Sequence, residues 1–227
     1  MSMISKIQFF LHKYIWLTIK FYVTYSPLEL RYTKPYFSQF GEDVVIGQLL
    51  QKGKGFYVDV GAYHPISFSN TYLLYRKGWS GINIEPNPKG FSLLQKFRTR
   101  DINLNLAVSE SQGKISMLNS TTMSRIIEPD QIETKSDIFT AETLPLRTIL
   151  EEHVVDGTKI DLLSIDCEGH DLAVLKSNDW RKYRPDVVVV EDFDKSENTD
   201  IDQELNRHGY KLHCKMALSK IYTKNNH

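Results

Sequence analysis

Residues 56–70 read FYVDVGAYHPISFSN. The first five form an apolar run short enough for a buried strand, in which Asp59 is out of place. Gly61 permits a tight turn after that strand and lets a ligand approach its backbone closely. Ser69 stands where a helix cap is needed. The helix it opens is expected over residues 70–77, with Arg76 and Lys77 suited to its C-terminal dipole and Gly78 to a left-handed exit. "GINIEP" then follows as a second strand that ends in Glu85. Strand, helix and strand in about thirty residues is the size of a βαβ unit.

The alternation continues on both sides. Upstream, Phe40, Val44, Val45, Leu49 and Leu50 have helical spacing, and Gly53 and Gly55 stop that helix. Downstream, Asn87 before Pro88 starts a helix to about residue 98. "INLNLAV" is a third strand and "KISML" a short further one. Residues 119–143 are polar and weakly periodic, and read as a mobile substrate loop or lid. Thr148 and Glu151 have capping-box spacing for a short helix. "IDLLSIDCEG" is the fourth strand with its exit turn, and "DVVVVEDF" is the fifth. Thr199 and Asp202 open another helix, and "YKLHCKMA" and "KIYTK" close the chain as a hairpin. Repeated βα units predict an α/β fold, a mostly parallel sheet with helices on both faces. Ligands bind such sheets beyond the carboxyl ends of the strands. That rule singles out residues 59–64, 85–87, 166–170 and 191–194.

Composition narrows the function classes. The 227 residues carry 28 basic and 28 acidic side chains, without the basic excess of a nucleic-acid binder. Cys167 and Cys214 fit neither a disulfide framework nor a zinc spacing, and read as buried thiols in a reducing compartment, which points to the cytoplasm. Residues 1–25 are rich in aromatic and aliphatic side chains, but His12, Lys13 and Lys20 break any span of the about 20 residues a bilayer requires. Lys6, Lys13 and Lys20 share one side of a helix, and Ile7, Phe10, Leu11, Tyr14, Leu17 and Phe21 can share another. Such a helix either lies peripherally on the inner, anionic face of a membrane or packs on the domain or on a second subunit of a homo-oligomer.

The turn after residue 60 is not a dinucleotide fingerprint. G-x-G-x-x-G is absent, and Pro65 has no N–H for a pyrophosphate. Glu85 can accept hydrogen bonds from both hydroxyls of a ribose. Asp59 can meet an ammonium group, and, buried, it requires a donor or cation close by. A ligand with a ribose, a base and a charged amino-acid tail suits these groups, and S-adenosylmethionine is such a ligand.

The stretches "SQFGEDVVI", "FYVDVGAYHPISFSNTYLLYRKGWSGINIEPNP", "INLNLAVSE", "TLPLRTILEE" and "IDLLSIDCEGHDLAVLKS" resemble, in order, the FkbM family of S-adenosylmethionine-dependent methyltransferases. The resemblance implies a class I methyltransferase fold, Rossmann-like, with seven strands, one of them reversed. Residues 31–227 would be the methyltransferase domain and residues 1–30 an amphipathic helical extension. It further implies that Asp59, Gly61 and Ala62 line the cofactor's amino-acid end and that Glu85 holds the ribose, beside Pro86 and Asn87. Residues 105–108, Ala107 among them, would border the adenine, and Gln39, Asn70 and Thr71 would close the site. The chain departs from the family at Tyr63 and His64, where Asn or Asp often follows Gly-Ala. Members often O-methylate sugar or polyketide hydroxyls, so a glycan, a lipid-linked glycan precursor or a small hydroxyl compound is the expected acceptor.

An alcohol must lose its proton as the new bond forms, so a base or metal ion is needed beyond the methyl group. Asp166, Glu168 and His170 at one strand end are the candidate catalytic residues, and strand alternation would put Asp166 and Glu168 on one side. Asp166, Glu191 and Asp192 are candidate ligands for Mg²⁺ or Mn²⁺, which favour oxygen-rich sites. The rival readings are a nicotinamide-dependent oxidoreductase and a non-catalytic cofactor-binding module.

Overall fold

The computed structural model describes residues 35–119, 124–126, 138–194, 196 and 198–225. The helical extension expected over residues 1–30 lies outside them. Among the described residues, no helix is long and apolar enough to cross a membrane.

In chain order the elements are α1 (Glu42–Leu49), β1 (Phe56–Val60), α2 (Tyr72–Arg76), β2 (Ser80–Ile84), α3 (Pro88–Phe97), β3 (Ile102–Leu104), β4 (Ala107–Val108), β5 (Gly113–Asn119), β6 (Ser124–Ile126), β7 (Ile138–Leu144), α4 (Leu146–His153), β8 (Leu162–Ile165), α5 (Asp171–Lys176), β9 (Val187–Glu191), α6 (Asp200–Arg207), β10 (Tyr210–Met216) and β11 (Ser219–Lys224). The main sheet has seven strands in the order β10-β11-β9-β8-β1-β2-β3. Its strands pair in parallel except for β11, which runs antiparallel to both β9 and β10.

Strand alternation divides the core into two layers. Val58, Val60, Ile82 and Ile84 pack against Ile149 and Leu150 of α4, Val174 and Leu175 of α5, and Ile201 and Leu205 of α6. Tyr57, Leu162, Val187, Val189 and Ile221 face the other way, onto Ile46 of α1, Leu74 of α2 and Trp79. Helices therefore cover both faces, and β1 lies inside the sheet with its carboxyl end between those of β2 and β8.

The helix starts follow their local chemistry. Ser69 Oγ accepts from the N–H of Tyr72, and the Asn87 side chain accepts from the N–H of Lys89 at the Pro88 start of α3. Thr199 and Asp202 form a reciprocal capping box on α6. Gly78 takes φ 90° where α2 ends.

Three expectations need correction. "INLNLAV" is two strands in two sheets, because Asn105 breaks the run and donates to the carbonyls of Glu85 and Pro86. The span 119–143 is not one loop. Residues 138–144 form β7, which pairs with β5 and β4 in a second sheet ordered β4-β7-β5-β6. Helix α4 begins ahead of Thr148, with Pro145 as its cap residue, and Ser177 Oγ accepts from the N–H of Leu146.

Candidate active site

A cavity opens at the carboxyl ends of β1, β2 and β8. It is lined by Val60, Gly61 and Tyr63 after β1, by Ile84, Glu85 and Pro86 after β2, and by Asp166, Cys167, Glu168 and His170 after β8. Leu106, just ahead of β4, and Ala107, Val108, Ile115 and Met117 of the second sheet supply an apolar wall, and Gln39 and Phe68 complete the lining.

The Glu85 carboxylate is buried and bridges two backbone segments. It accepts from the N–H of Tyr63 at 2.6 Å and from that of Asn87 at 2.7 Å. Burial pushes this carboxyl up to about 7, against the pull of those two N–H groups. Each oxygen keeps a lone pair for a further donor. Gly61 has φ 80°, and a Cβ there would lie 1.8 Å from the Asp166 carbonyl. The glycine is thus demanded by close approach of the β1 and β8 exits, as well as by the turn.

Asp59 does not line the cavity. It lies on the Tyr57 face of β1, where Thr71 Oγ1 donates to its carboxylate at 2.6 Å. Arg98, wholly buried, donates to Thr71 Oγ1, Tyr57 Oη and the Pro65 carbonyl, and pairs with Asp101 at 2.9 Å. Here are the donor and cation that a carboxylate in an apolar strand requires. Burial raises the Asp59 pKa, while Thr71 and Arg98 oppose the rise.

Several other candidates also stand behind the lining. Ala62 is buried and its N–H donates to the Ile84 carbonyl. Asn70 donates to Ser164 Oγ at 3.1 Å, and Asn87 caps α3. His64 Nδ1 accepts from the N–H groups of Ile66 and Ser67, which gives it a part in the turn itself. Gln39, Gly61, Glu85, Pro86 and Ala107 do reach the cavity.

The acidic groups converge differently from their expected set. β8 ends at Ile165, so strand alternation does not relate Asp166 to Glu168; Glu168 reaches the cavity from a turn with φ 51°. Asp171 holds that turn by accepting from the N–H groups of Cys167 and Gly169. Asp166, Glu168 and Glu191 each bring a carboxylate oxygen within 4.8 Å of the others. Asp192 is not with them. Its carboxylate pairs with buried Lys220 at 2.8 Å and accepts from Thr199 Oγ1 at 2.7 Å. Glu168, not Asp192, is the third member. Burial, then the neighbouring carboxylates, raises the pKa of both Asp166 and Glu191, whose carboxyl groups are hydrogen-bonded to each other. His170 sits at the start of α5 with Nε2 buried and unpartnered.

Sequence reasoning missed Phe68, Ile115 and Met117, and named Tyr63 only as a departure from the family pattern. One signal is conformational: Tyr63, Phe68 and Glu168 have φ of 48°, 59° and 51°, and all three line the cavity. Non-glycine residues in this region cost about 1–3 kcal/mol each and gather at functional sites.

The strand order, single reversed strand and cavity position define a class I S-adenosylmethionine-dependent methyltransferase fold. Among solved structures, the METTL16 methyltransferase domain superposes with a TM-score of 0.50 at 11% identity, covering 82% of this chain and 67% of that one. A TehB-like SAM-dependent methyltransferase from Corynebacterium glutamicum gives 0.43 at 11% identity, covering 82% and 88%. The 1,6-didemethyltoxoflavin-N1-methyltransferase of Burkholderia thailandensis, solved with S-adenosylhomocysteine, gives 0.43 at 11% identity, covering 82% and 77%. No curated protein matches the chain. The profile of the methyltransferase FkbM domain matches residues 59–212, and the chain belongs to that family of methyltransferases. Membership sets aside the nicotinamide oxidoreductase reading.

Proposed function

We propose that the chain is an S-adenosylmethionine-dependent O-methyltransferase that acts on a sugar hydroxyl of a glycan or lipid-linked polysaccharide. The observation that carries this reading is that Glu85, Asp166 and Glu168 line one cavity, with the Glu191 carboxylate converging on those of Asp166 and Glu168. The cavity chemistry suits the cofactor. Glu85 would accept from the ribose hydroxyls, and the wall of Leu106, Ala107, Val108, Ile115 and Met117 would take a flat base. The excess of carboxylates on the opposite side suits a cationic sulfur.

When bound, S-adenosylmethionine supplies an electrophilic methyl group. The residues of the chain align the acceptor, exclude water and take its proton. Asp166, in its anionic form, takes the hydroxyl proton as the carbon–oxygen bond forms. Glu191 orients Asp166 through their shared hydrogen bond, and His170 can pass the proton outward.

Purified protein is to be incubated with radiolabelled methyl donor and cell-envelope glycans. Labelled glycan is expected, with Asp166→Asn reducing turnover at least about 100-fold, the usual worth of a general base. Unlabelled glycan in the presence of bound cofactor would favour the non-catalytic module instead.

A further inference from the structure

The acidic group after β8 and β9 has more negative charge than its surroundings balance. Asp171 is satisfied by two backbone N–H groups. Lys220, the buried cation beside β9, is taken by Asp192 and Asp202. Among the described residues, no ion pair includes Asp166, Glu168 or Glu191.

A second observation points to a ligand. Glu191 is only 6% exposed, and its Oε2 is buried with no hydrogen-bond partner. A buried carboxylate oxygen left without a donor is costly. Its carboxylate is one of the three that converge within 4.8 Å. His170 Nε2, in the lining of the same cavity, is likewise buried and unpartnered.

From this juxtaposition we infer that Asp166, Glu168 and Glu191 form a divalent-cation site, with His170 within the same cavity as a nitrogen donor. Three carboxylates select a hard, oxygen-seeking ion, so Mg²⁺ or Mn²⁺ is the chemical class. The group that converges holds carboxylates only, and Cys167 is not part of it. The inference deepens the O-methyltransferase reading by assigning a second means of activating the acceptor hydroxyl, but the binding event needs neither cofactor nor acceptor.

The test is Mn²⁺ titration of the chelator-stripped full chain at pH 7.5, followed by electron paramagnetic resonance and by calorimetry. One saturable site is expected, and Glu191→Gln and Glu168→Gln each weaken it at least tenfold. Melting curves and S-adenosylhomocysteine binding establish that each variant is folded. Glu168 is half-exposed, so its variant serves should Glu191→Gln not fold. Absence of saturable Mn²⁺ binding in the wild type, or unchanged affinity in a folded variant, overturns the inference. Nucleoside binding that persists in that case leaves the methyltransferase reading standing, and its loss removes that reading instead.

Discussion

At the scale of the residue, two groups define the turn after β1 by geometry. Gly61 is held by φ 80° and by the Asp166 carbonyl that any Cβ would strike. Gly61→Ala is therefore expected to cost at least about 2 kcal/mol, the sum of left-handed strain and steric conflict. Urea denaturation measures it, and a loss under 0.5 kcal/mol would mean that the β1 and β8 exits are not so tightly apposed. The place of Glu85 in the cavity lining was legible from its position at a strand end. Asp59 was legible only as an anomaly, since the sequence could not tell a buried support from a ligand contact. Its direct partner is Thr71, and the cation behind Thr71, Arg98, lies 39 residues away in the chain (98 − 59), beyond any local pattern.

At the scale of the element, the polar network around Arg98 ties α3 to β1 and to the turn before α2. The guanidinium touches Asp101, Tyr57, Thr71, Ser69 and the Pro65 carbonyl with no exposed surface. Arg98→Met would leave Asp101 buried without its counter-charge. A loss of about 3–5 kcal/mol is expected, as for other broken buried pairs. Chemical denaturation checks it, and an unchanged midpoint would show the pair to be dispensable. Elements whose signal is local could be read directly: the caps at Asn87 and Thr199, the β1-α2-β2 unit and the terminal hairpin stand where the sequence put them, whereas the cap residue of α2 is Thr71 and Ser69 accepts from the N–H of Tyr72 ahead of it. The second sheet could not. β7 fully buries only the small Ala141 and Thr143, with Phe139 half-buried on the same side, so its alternation is weak until its pairing with β5 is known.

At the scale of the whole molecule, the carboxylates around the cavity link stability to pH. Glu85, Asp166, Glu168, Asp171 and Glu191 all have pKa values raised above their ordinary ones, with burial the leading cause. The native state then holds protons that the unfolded chain has released. Their stabilising contribution is complete below the ordinary carboxyl range and is lost as pH rises through the raised values, about 7 for Glu85. Asp202 acts oppositely. Burial pushes it up, but hydrogen bonds from Lys220, Tyr222 and Thr199 outweigh that and hold it at about 2, so its contribution is lost only in strong acid. The ligand-free protein is expected to melt at a lower temperature at pH 8 than at pH 5.5, and Glu85→Gln should flatten the slope. Calorimetry decides it, and a melting point that rises across this window would contradict the charge distribution assigned to the cavity.

The central claim is that this cavity binds S-adenosylmethionine through Glu85. Isothermal titration of the full chain with S-adenosylmethionine, for wild type and Glu85→Ala, tests it most directly. The expected result is one site in the wild type and at least tenfold weaker binding in the variant, consistent with about 1.5–3 kcal/mol for hydrogen bonds to a charged group. No binding by folded wild-type protein, or equal affinity in the two, would contradict it.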